Sequence, residues 1–383
     1  FLVFYRLKKI RINKHLFHLA FALTGIILIF TVNSRIKTNV LQRFPYNIYH
    51  SLSEYSKLKK AMNVERVDFE PDFNCNVLEE KNDSLIVVFV IGEAARADHL
   101  SLNGYSRNTN KFLSQREHVY ALPNVYSEYT HTVRSLPHLL TRADSINEHL
   151  AFSEFSFISL FNKCGYRTEW ISNQDPANSY VFFMKECDTI IYAHPEKTVY
   201  NFNNWLDEDL IPFVKQSISK SYKNNLMILH TIGSHWYYNS HFTKEFEVFT
   251  PITKSRIITQ NSPEEIINSY DNTILYTDYF LDKLISILND KNALLIYVSD
   301  HGEILGENGL WLHASDHPAT KNPAALIWMS DKYIKYYPRK KDALILNKDK
   351  RWRTDFVFHT ILSGSNIPSV SIQKSLDIFT VPK

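Results

Sequence analysis

The amino-acid sequence predicts an α/β fold, a central sheet flanked by helices and preceded by a transmembrane helix. Three observations carry that expectation. Short apolar runs recur at LIVVFVI (85–91), TEWIS (168–172), LMILHTI (226–232), ALLIYVS (293–299) and AALIWM (324–329), each the length of a buried strand. Between the third and fourth runs, residues 264–290 place Ile267, Tyr270, Ile274, Thr277, Leu281, Leu284 and Leu288 three or four apart, which is helix spacing. Finally, residues 15–34 are 20 consecutive positions without Lys, Arg, Asp or Glu, long enough to span a bilayer.

The N-terminal apolar stretch sets the expected compartment. Arg6, Lys8, Lys9, Arg11 and Lys14 precede it, whereas only Arg35 and Lys37 follow closely. The positive-inside rule then leaves residues 1–14 in the cytoplasm and everything beyond the span outside it. The stretch is long for the apolar core of a signal peptide, and TVNS lacks a small-residue cleavage site, so a retained anchor is expected. FLVFY reads as the tail of an earlier apolar segment, so the N-terminus is expected to be incomplete. Residues 35–83, with Tyr46, Tyr49 and Tyr55 beside Lys57, Lys59 and Lys60, read as a membrane-proximal connector, and residues 84–383 as the folded domain.

A chain of 383 residues can bury a large core. Its formal charge of +3, with no Lys/Arg stripe interleaved with stacking aromatics, argues against nucleic acid as a partner. Cys75, Cys164 and Cys187 have no metal-binding spacing. A Cys164–Cys187 disulfide and free buried thiols both remain open.

The chemistry lies just beyond the strands. LIVVFVI runs into Gly92-Glu93, LMILHTI into Gly233-Ser234-His235, and ALLIYVS into Asp300-His301-Gly302-Glu303. Ligands of open α/β sheets bind outside the carboxyl ends of the strands, so Glu93, His235, Asp300 and His301 are expected at one edge. Carboxylates with imidazoles and no thiolate suit zinc or another borderline divalent metal. Neighbouring strand residues point to opposite faces, so Asp300 and His301 reach one metal only where the chain turns, which Gly302 permits. His230, His235 and His313 are candidates for a second metal site or for substrate contacts, whereas His241, His317 and His359 read as structural or solvated.

Thr132, in YTHTVRSLP, falls where a helix N-cap is expected. Its hydroxyl can cap that helix or attack a phosphoryl group held at the helix N-terminus, and spacing leaves both roles open.

Together the motifs resemble the bacterial phosphoethanolamine transferases. VVFVIGEAARADHLSLNGYSRNTNKFL resembles their opening catalytic motif, THTVRSLPHLLT their nucleophile segment, HTIGSH their histidine segment, YDNTILYTDYFLDKLI their long helix and VSDHGEILGENGLWLH their metal segment. The resemblance covers roughly residues 84–330 and implies an alkaline phosphatase/sulfatase-like sheet. It also implies Zn2+, one or two ions, held by Glu93, Thr132, Asp300 and His301, with Thr132 as the phosphorylated nucleophile and His230, His235 and His313 as further active-site histidines, His235 or His313 serving as general base. The implied reaction moves phosphoethanolamine from phosphatidylethanolamine to a lipopolysaccharide acceptor, core sugar or lipid A, on the periplasmic side of the inner membrane.

Three features depart from the family pattern. Glu128 and His138 stand where lipid A-modifying members usually have cysteines bracketing the nucleophile, His241-Phe242 replaces a basic triplet, and Ala314 replaces a glycine. The missing cysteines widen the acceptor expectation to core heptose or a periplasmic glucan. The alternatives are a phosphoglycerol transferase and an inactive anchored glycan-binding protein; a sulfatase is excluded, because THTVRSLP lacks the C/S-x-P-x-R context that enzyme needs.

Overall fold

The computed structural model describes residues 14–32, 52–53, 56–57, 59–60, 63, 65–75, 84–195, 205–220, 223–313 and 315–381. The expected cytoplasmic segment, apart from Lys14, and most of the expected connector lie outside the described residues. Two compact units are present, Phe1–Ala61 and Met62–Lys383.

In the first unit the apolar stretch forms helix α1 (Lys14–Val32). Among the described residues no helix is long and apolar enough to cross a membrane.

The second unit is built on eleven strands among the described residues: β1 (Leu85–Gly92), β2 (Val119–Ala121), β3 (Val125–Tyr126), β4 (Arg167–Ser172), β5 (Thr189–Tyr192), β6 (Asn225–His230), β7 (Asn292–Ser299), β8 (Ile304–Leu305), β9 (Trp311–Leu312), β10 (Ala325–Met329) and β11 (Trp352–Arg353). Seven of them make one sheet in the order β2-β10-β7-β1-β6-β4-β5. All five strands read from the sequence are present, and the run from β7 through β5 is parallel. β1 and β7 are buried along their whole length, because a parallel sheet covered on both faces selects continuous apolar runs. The sequence reading missed β2 and β5, which are short edge strands whose residues are only partly buried. Helix α2 (Thr132–Leu140) follows β3, and helix α3 (Pro263–Leu288) packs beside the sheet. α3 starts at Pro263 behind a capping box, in which Ser262 accepts from the Glu265 N–H and Glu265 accepts from the Ser262 N–H.

Residues 65–75 do not behave as the connector expected of them. The Val67 N–H donates to the Ser153 carbonyl at 2.7 Å. Arg66 lies over the rings of Phe155, Phe182 and Phe183 and pairs with Glu186. Cys75 forms a disulfide with Cys164, which leaves Cys187 free and replaces the Cys164–Cys187 pair considered from the sequence. The folded unit therefore begins about twenty residues before the first strand, because this segment supplies both a buried cation and a covalent tie.

Candidate active site and metal centre

Strands β7, β1 and β6 are parallel neighbours that end at one edge of the sheet. Their register sets Gly92 beside Ser299 and Ile91 beside His230, so Glu93, Asp300 and the turn 231–235 emerge side by side.

Local backbone geometry aims each group. Ala94 adopts a left-handed φ of +54°, uncommon for a residue with a side chain. It is held there by its N–H, which donates to Asp300 Oδ1 at 3.2 Å, and by its carbonyl, which accepts from the Tyr270 hydroxyl at 2.7 Å. Gly233, at φ +46°, passes so close that a Cβ would stand 2.8 Å from the Glu93 carbonyl oxygen. Asp207 fixes the same turn by accepting from the N–H groups of Ile232 (2.8 Å) and Gly233 (2.9 Å). Gly302 was expected to supply conformational freedom, but its use is room: a Cβ there would lie 2.1 Å from the Ala319 carbonyl oxygen.

Thr132 is the first residue of α2, and His131, extended at φ −161°, is the N-cap expected of Thr132. The Thr132 hydroxyl makes no cap; it donates to Glu93 Oε2 at 3.0 Å. Glu93 Oε2 also accepts from Gln174 Nε2 at 3.0 Å, and Gln174 donates in turn to the Thr231 carbonyl at 2.7 Å. His301 Nε2 lies 3.4 Å from Glu93 Oε1 and 3.5 Å from Asp300 Oδ2. Glu93, Thr132, Asp300 and His301, named from the sequence, are thus brought together. His313 joins them, since the ligand atoms of Glu93, His301 and His313 all lie within 4.8 Å of one another.

The donor set fits a divalent cation. Glu93 Oε1, Asp300 Oδ2 and His301 Nε2 are buried and make no hydrogen bond among the described residues, a costly arrangement unless positive charge lies between them. Oxygen and nitrogen donors without sulfur suit zinc or a similar ion. Protonation equilibria point the same way. Burial pushes the Glu93 carboxyl up, but the neighbouring His301 imidazole, with the charges of His235 and His313, more than offsets it and holds Glu93 ionised. Burial pushes His301 down, and the Asp300 and Glu93 carboxylates with the Gly302 carbonyl outweigh it, raising the imidazole. Asp300 is raised by burial and by the Glu93 charge beside it. The cluster therefore draws in positive charge, as a proton or as a metal.

The remaining histidines separate by burial. His235 donates from Nδ1 to the Trp236 carbonyl at 2.6 Å, and its ring lies 6.2 Å from that of His313. His313 Nδ1 is 3.4 Å from Glu303 Oε2, and its ring is 4.6 Å from that of His301. His230, expected to contact substrate, is instead fully buried edge-on against Trp170 and Tyr180 and is pushed down to about 4 by burial. A neutral ring in that position offers no face to a bound substrate. His241 donates to the Trp205 carbonyl, His317 accepts from the Ala319 N–H and His359 from the Gln373 N–H.

Sequence reading missed Gln174, Asp207 and Glu303. Gln174 follows β4 by two residues, so the strand-end rule that selected Glu93 and Asp300 reaches it as well. Glu303 lies in the DHGE run itself.

Comparison with known proteins agrees with this geometry. A family model described as Sulfatase matches residues 86–367. Phosphoethanolamine transferase EptA of Salmonella typhimurium is 31% identical over 402 residues, covering 96% of this chain and 71% of its own. EptA of Escherichia coli K12 is 31% identical over 353 residues, and the chain spans 62% of that relative's length. The integral membrane lipooligosaccharide phosphoethanolamine transferase A of Neisseria meningitidis superposes with a TM-score of 0.73 at 27% identity, covering 94% of this chain and 68% of its own. The sheet order, the strand-end carboxylates and these relatives together place the chain in the sulfatase family, among its phosphoethanolamine transferases.

Proposed function

We propose that this chain is the catalytic part of a metal-dependent transferase that moves phosphoethanolamine from phosphatidylethanolamine, through a phosphothreonine-type intermediate on Thr132, to a lipopolysaccharide acceptor. The observation that carries the reading is the Thr132 hydroxyl hydrogen-bonded to Glu93 inside the ligand cluster, where it is not spent on capping. In the first step Thr132 Oγ1 bonds to phosphorus, and the bond from phosphorus to the glycerol oxygen breaks. The hydroxyl proton has Glu93 Oε2 as its nearest acceptor, and the departing diacylglycerol oxygen takes up a proton. In the second step an acceptor oxygen attacks the same phosphorus and Thr132 leaves. His235, its Nδ1 anchored on a carbonyl, keeps Nε2 for the acceptor's proton, while His313, oriented by Glu303, is the alternative base. Zinc held by Glu93, Thr132, Asp300 and His301 would supply positive charge against the nonbridging oxygens and lower the hydroxyl pKa.

Lipopolysaccharide, core sugar or lipid A, is favoured over a periplasmic glucan because the named relatives include lipooligosaccharide and lipid A enzymes. A periplasmic domain held at the inner membrane suits a two-tailed donor, and Leu16, Phe17, Leu19, Phe21, Leu23, Ile26 and Ile27 of α1 leave apolar side chains exposed for lipid.

The test is intact mass of the zinc-loaded chain after incubation with phosphatidylethanolamine. A phosphoethanolamine adduct absent from Thr132→Ala is expected; an equal adduct in that variant, or one formed only from phosphatidylglycerol, defeats the proposal.

A further inference from the structure

Away from the metal cluster, a cavity of about 530 Å³ opens between the strand that leads to Thr132 and the C-terminal segments 347–353 and 374–380. Its wall includes Tyr126, Glu128, Lys350, Arg351, Arg353 and Lys374. The parallel pairing of β3 with β11 builds this wall, setting Arg353 opposite Tyr126. We infer that this cavity is the acceptor subsite and takes a saccharide bearing a phosphate or carboxylate group. The inference rests on the transfer reading above and extends it to the second substrate.

Charge is the first support. Lys350, Arg351 and Lys374 line the cavity and have no carboxylate partner among the described residues. Arg351 instead lies over the Tyr126 ring, 5.4 Å from its centroid, with Lys321 over the same ring at 5.9 Å. Arg353 spends Nε and Nη2 on Asp355 and keeps Nη1. Unpaired cations around a concave surface concentrate anions, and a guanidinium matches phosphate or carboxylate geometry.

Neutral and acidic groups alternate with the cations and narrow the ligand class. Asn347, Ser375, Thr380 and the carboxylates of Glu128 and Asp377 also line the cavity. A bilayer surface of anionic headgroups gains nothing from interior carboxylates, whereas sugar hydroxyls bond to both kinds of group. The concave shape likewise suits a discrete solute better than a membrane plane.

Position is the second support. Glu128 precedes Thr132 by four residues, so chain reach alone keeps their Cα atoms within about 14 Å. A saccharide of two or three rings seated in the cavity spans that distance. Between the wall residues Tyr126 and Glu128, Ser127 fixes the chain that leads to Thr132, its N–H donating to the Lys321 carbonyl and its hydroxyl to the Tyr129 carbonyl.

Calorimetric titration of the full chain with glucosamine 1-phosphate, glucosamine, inorganic phosphate and phosphatidylglycerol vesicles tests the assignment. Glucosamine 1-phosphate is expected to bind most tightly of the three solutes. The exposed triple variant Lys350→Ser, Arg351→Ser, Lys374→Ser should weaken it at least about tenfold. A charge-matched control, Lys244→Ser, Lys283→Ser, Lys335→Ser, should leave it unchanged. Equal affinity in the triple variant overturns the inference. So does inorganic phosphate binding as tightly as the sugar phosphate, or vesicle binding without saccharide binding. Adduct formation on Thr132 is scored separately in the wild-type chain, so failure of the transfer reading is distinguishable from failure of this one.

Discussion

Replacing Gly302 with Ala probes how closely the proposed metal ligands depend on backbone packing. The residue follows Asp300-His301, and its N–H donates to the Thr320 carbonyl at 2.8 Å. An added Cβ would stand 2.1 Å from the Ala319 carbonyl oxygen and 3.3 Å from Arg96 Cγ. Since Cβ contacts below 3.0 Å essentially never occur, the two chains must separate by nearly 1 Å. That movement breaks the bond to Thr320, whose carbonyl is buried, at roughly 1–3 kcal/mol for the unpaired groups. Overpacking adds about 1–3 kcal/mol. The expected loss is therefore about 2–6 kcal/mol, or roughly 3–9 °C in Tm for a unit of about 320 residues. His301 moves with the chain, and a displacement on the order of 1 Å at a reacting centre costs about a hundredfold in rate. Scanning calorimetry and the rate of diacylglycerol release check both values. Tm within 2 °C of wild type together with a rate within about twofold would falsify the close-approach argument.

Three further outcomes follow from other parts of the unit. Asp207 is pushed up to about 6 by burial, so the native state holds its proton where the unfolded chain has released it. Its contribution to stability is full below about pH 4 and is lost as pH rises to about 6; Asp207→Asn should flatten the fall of Tm across that window, and an unchanged slope refutes the assignment. The same substitution turns an amide N–H toward that of Ile232 or Gly233, so a lower Tm throughout is expected. Cys75→Ser opens a loop of 89 residues and should cost up to about 4 kcal/mol, read from denaturant midpoints of oxidised protein; a shift below 1 kcal/mol counts against the tie. Tyr129→Phe leaves His138 Nε2 unpaired and should slow adduct formation on Thr132 severalfold with zinc content unchanged, whereas a wild-type rate shows that the loop needs no such brace.

How much of this was legible depends on the kind of force involved. The five core strands and α3 were readable because burial on both faces writes continuous apolar runs and a 3.6-residue period into the chain. β2 and β5 were not, since VYA and TIIY at the sheet edges are too short and too exposed to carry a pattern. Glu93, Asp300 and His301 were found by a geometric rule about strand ends, and Gln174 is the residue the same rule reached but the reading did not follow. The cap assigned to Thr132 shifted to His131 because a hydroxyl one residue inside the helix turns toward Glu93 once the tertiary fold offers a carboxylate. Cys75 could not be paired from spacing, since its partner is set by how residues 65–75 cross the domain. The burial of His230 was equally silent in the sequence, where a histidine closing a strand reads the same whether it faces inward or outward.

The segment around Thr132, the proposed nucleophile, is held by hydrogen bonds and not by a disulfide. His138 donates from Nδ1 to the Arg134 carbonyl at 2.8 Å, which fixes the tautomer and leaves Nε2, 2.8 Å from the Tyr129 hydroxyl, as an acceptor. Burial lowers the His138 pKa, so this neutral form prevails near pH 7. Tyr129 has a single proton for two acceptors, His138 Nε2 and Glu148 Oε1, the latter at 2.9 Å. Glu148 is not stranded when the proton goes to His138, because Arg134 meets its other oxygen at 3.0 Å while lying over the Tyr129 ring. When the imidazole is protonated, its Nε2–H donates to the Tyr129 oxygen and the Tyr129 hydroxyl donates to Glu148 Oε1, so the Tyr129–His138 bond reverses direction while Nδ1–H still donates to the Arg134 carbonyl. The Arg134–Glu148 pair is half exposed and adds little by itself. The tie rests on the buried tyrosine and imidazole, and it is therefore indifferent to reductant, where a disulfide in the same place would not be.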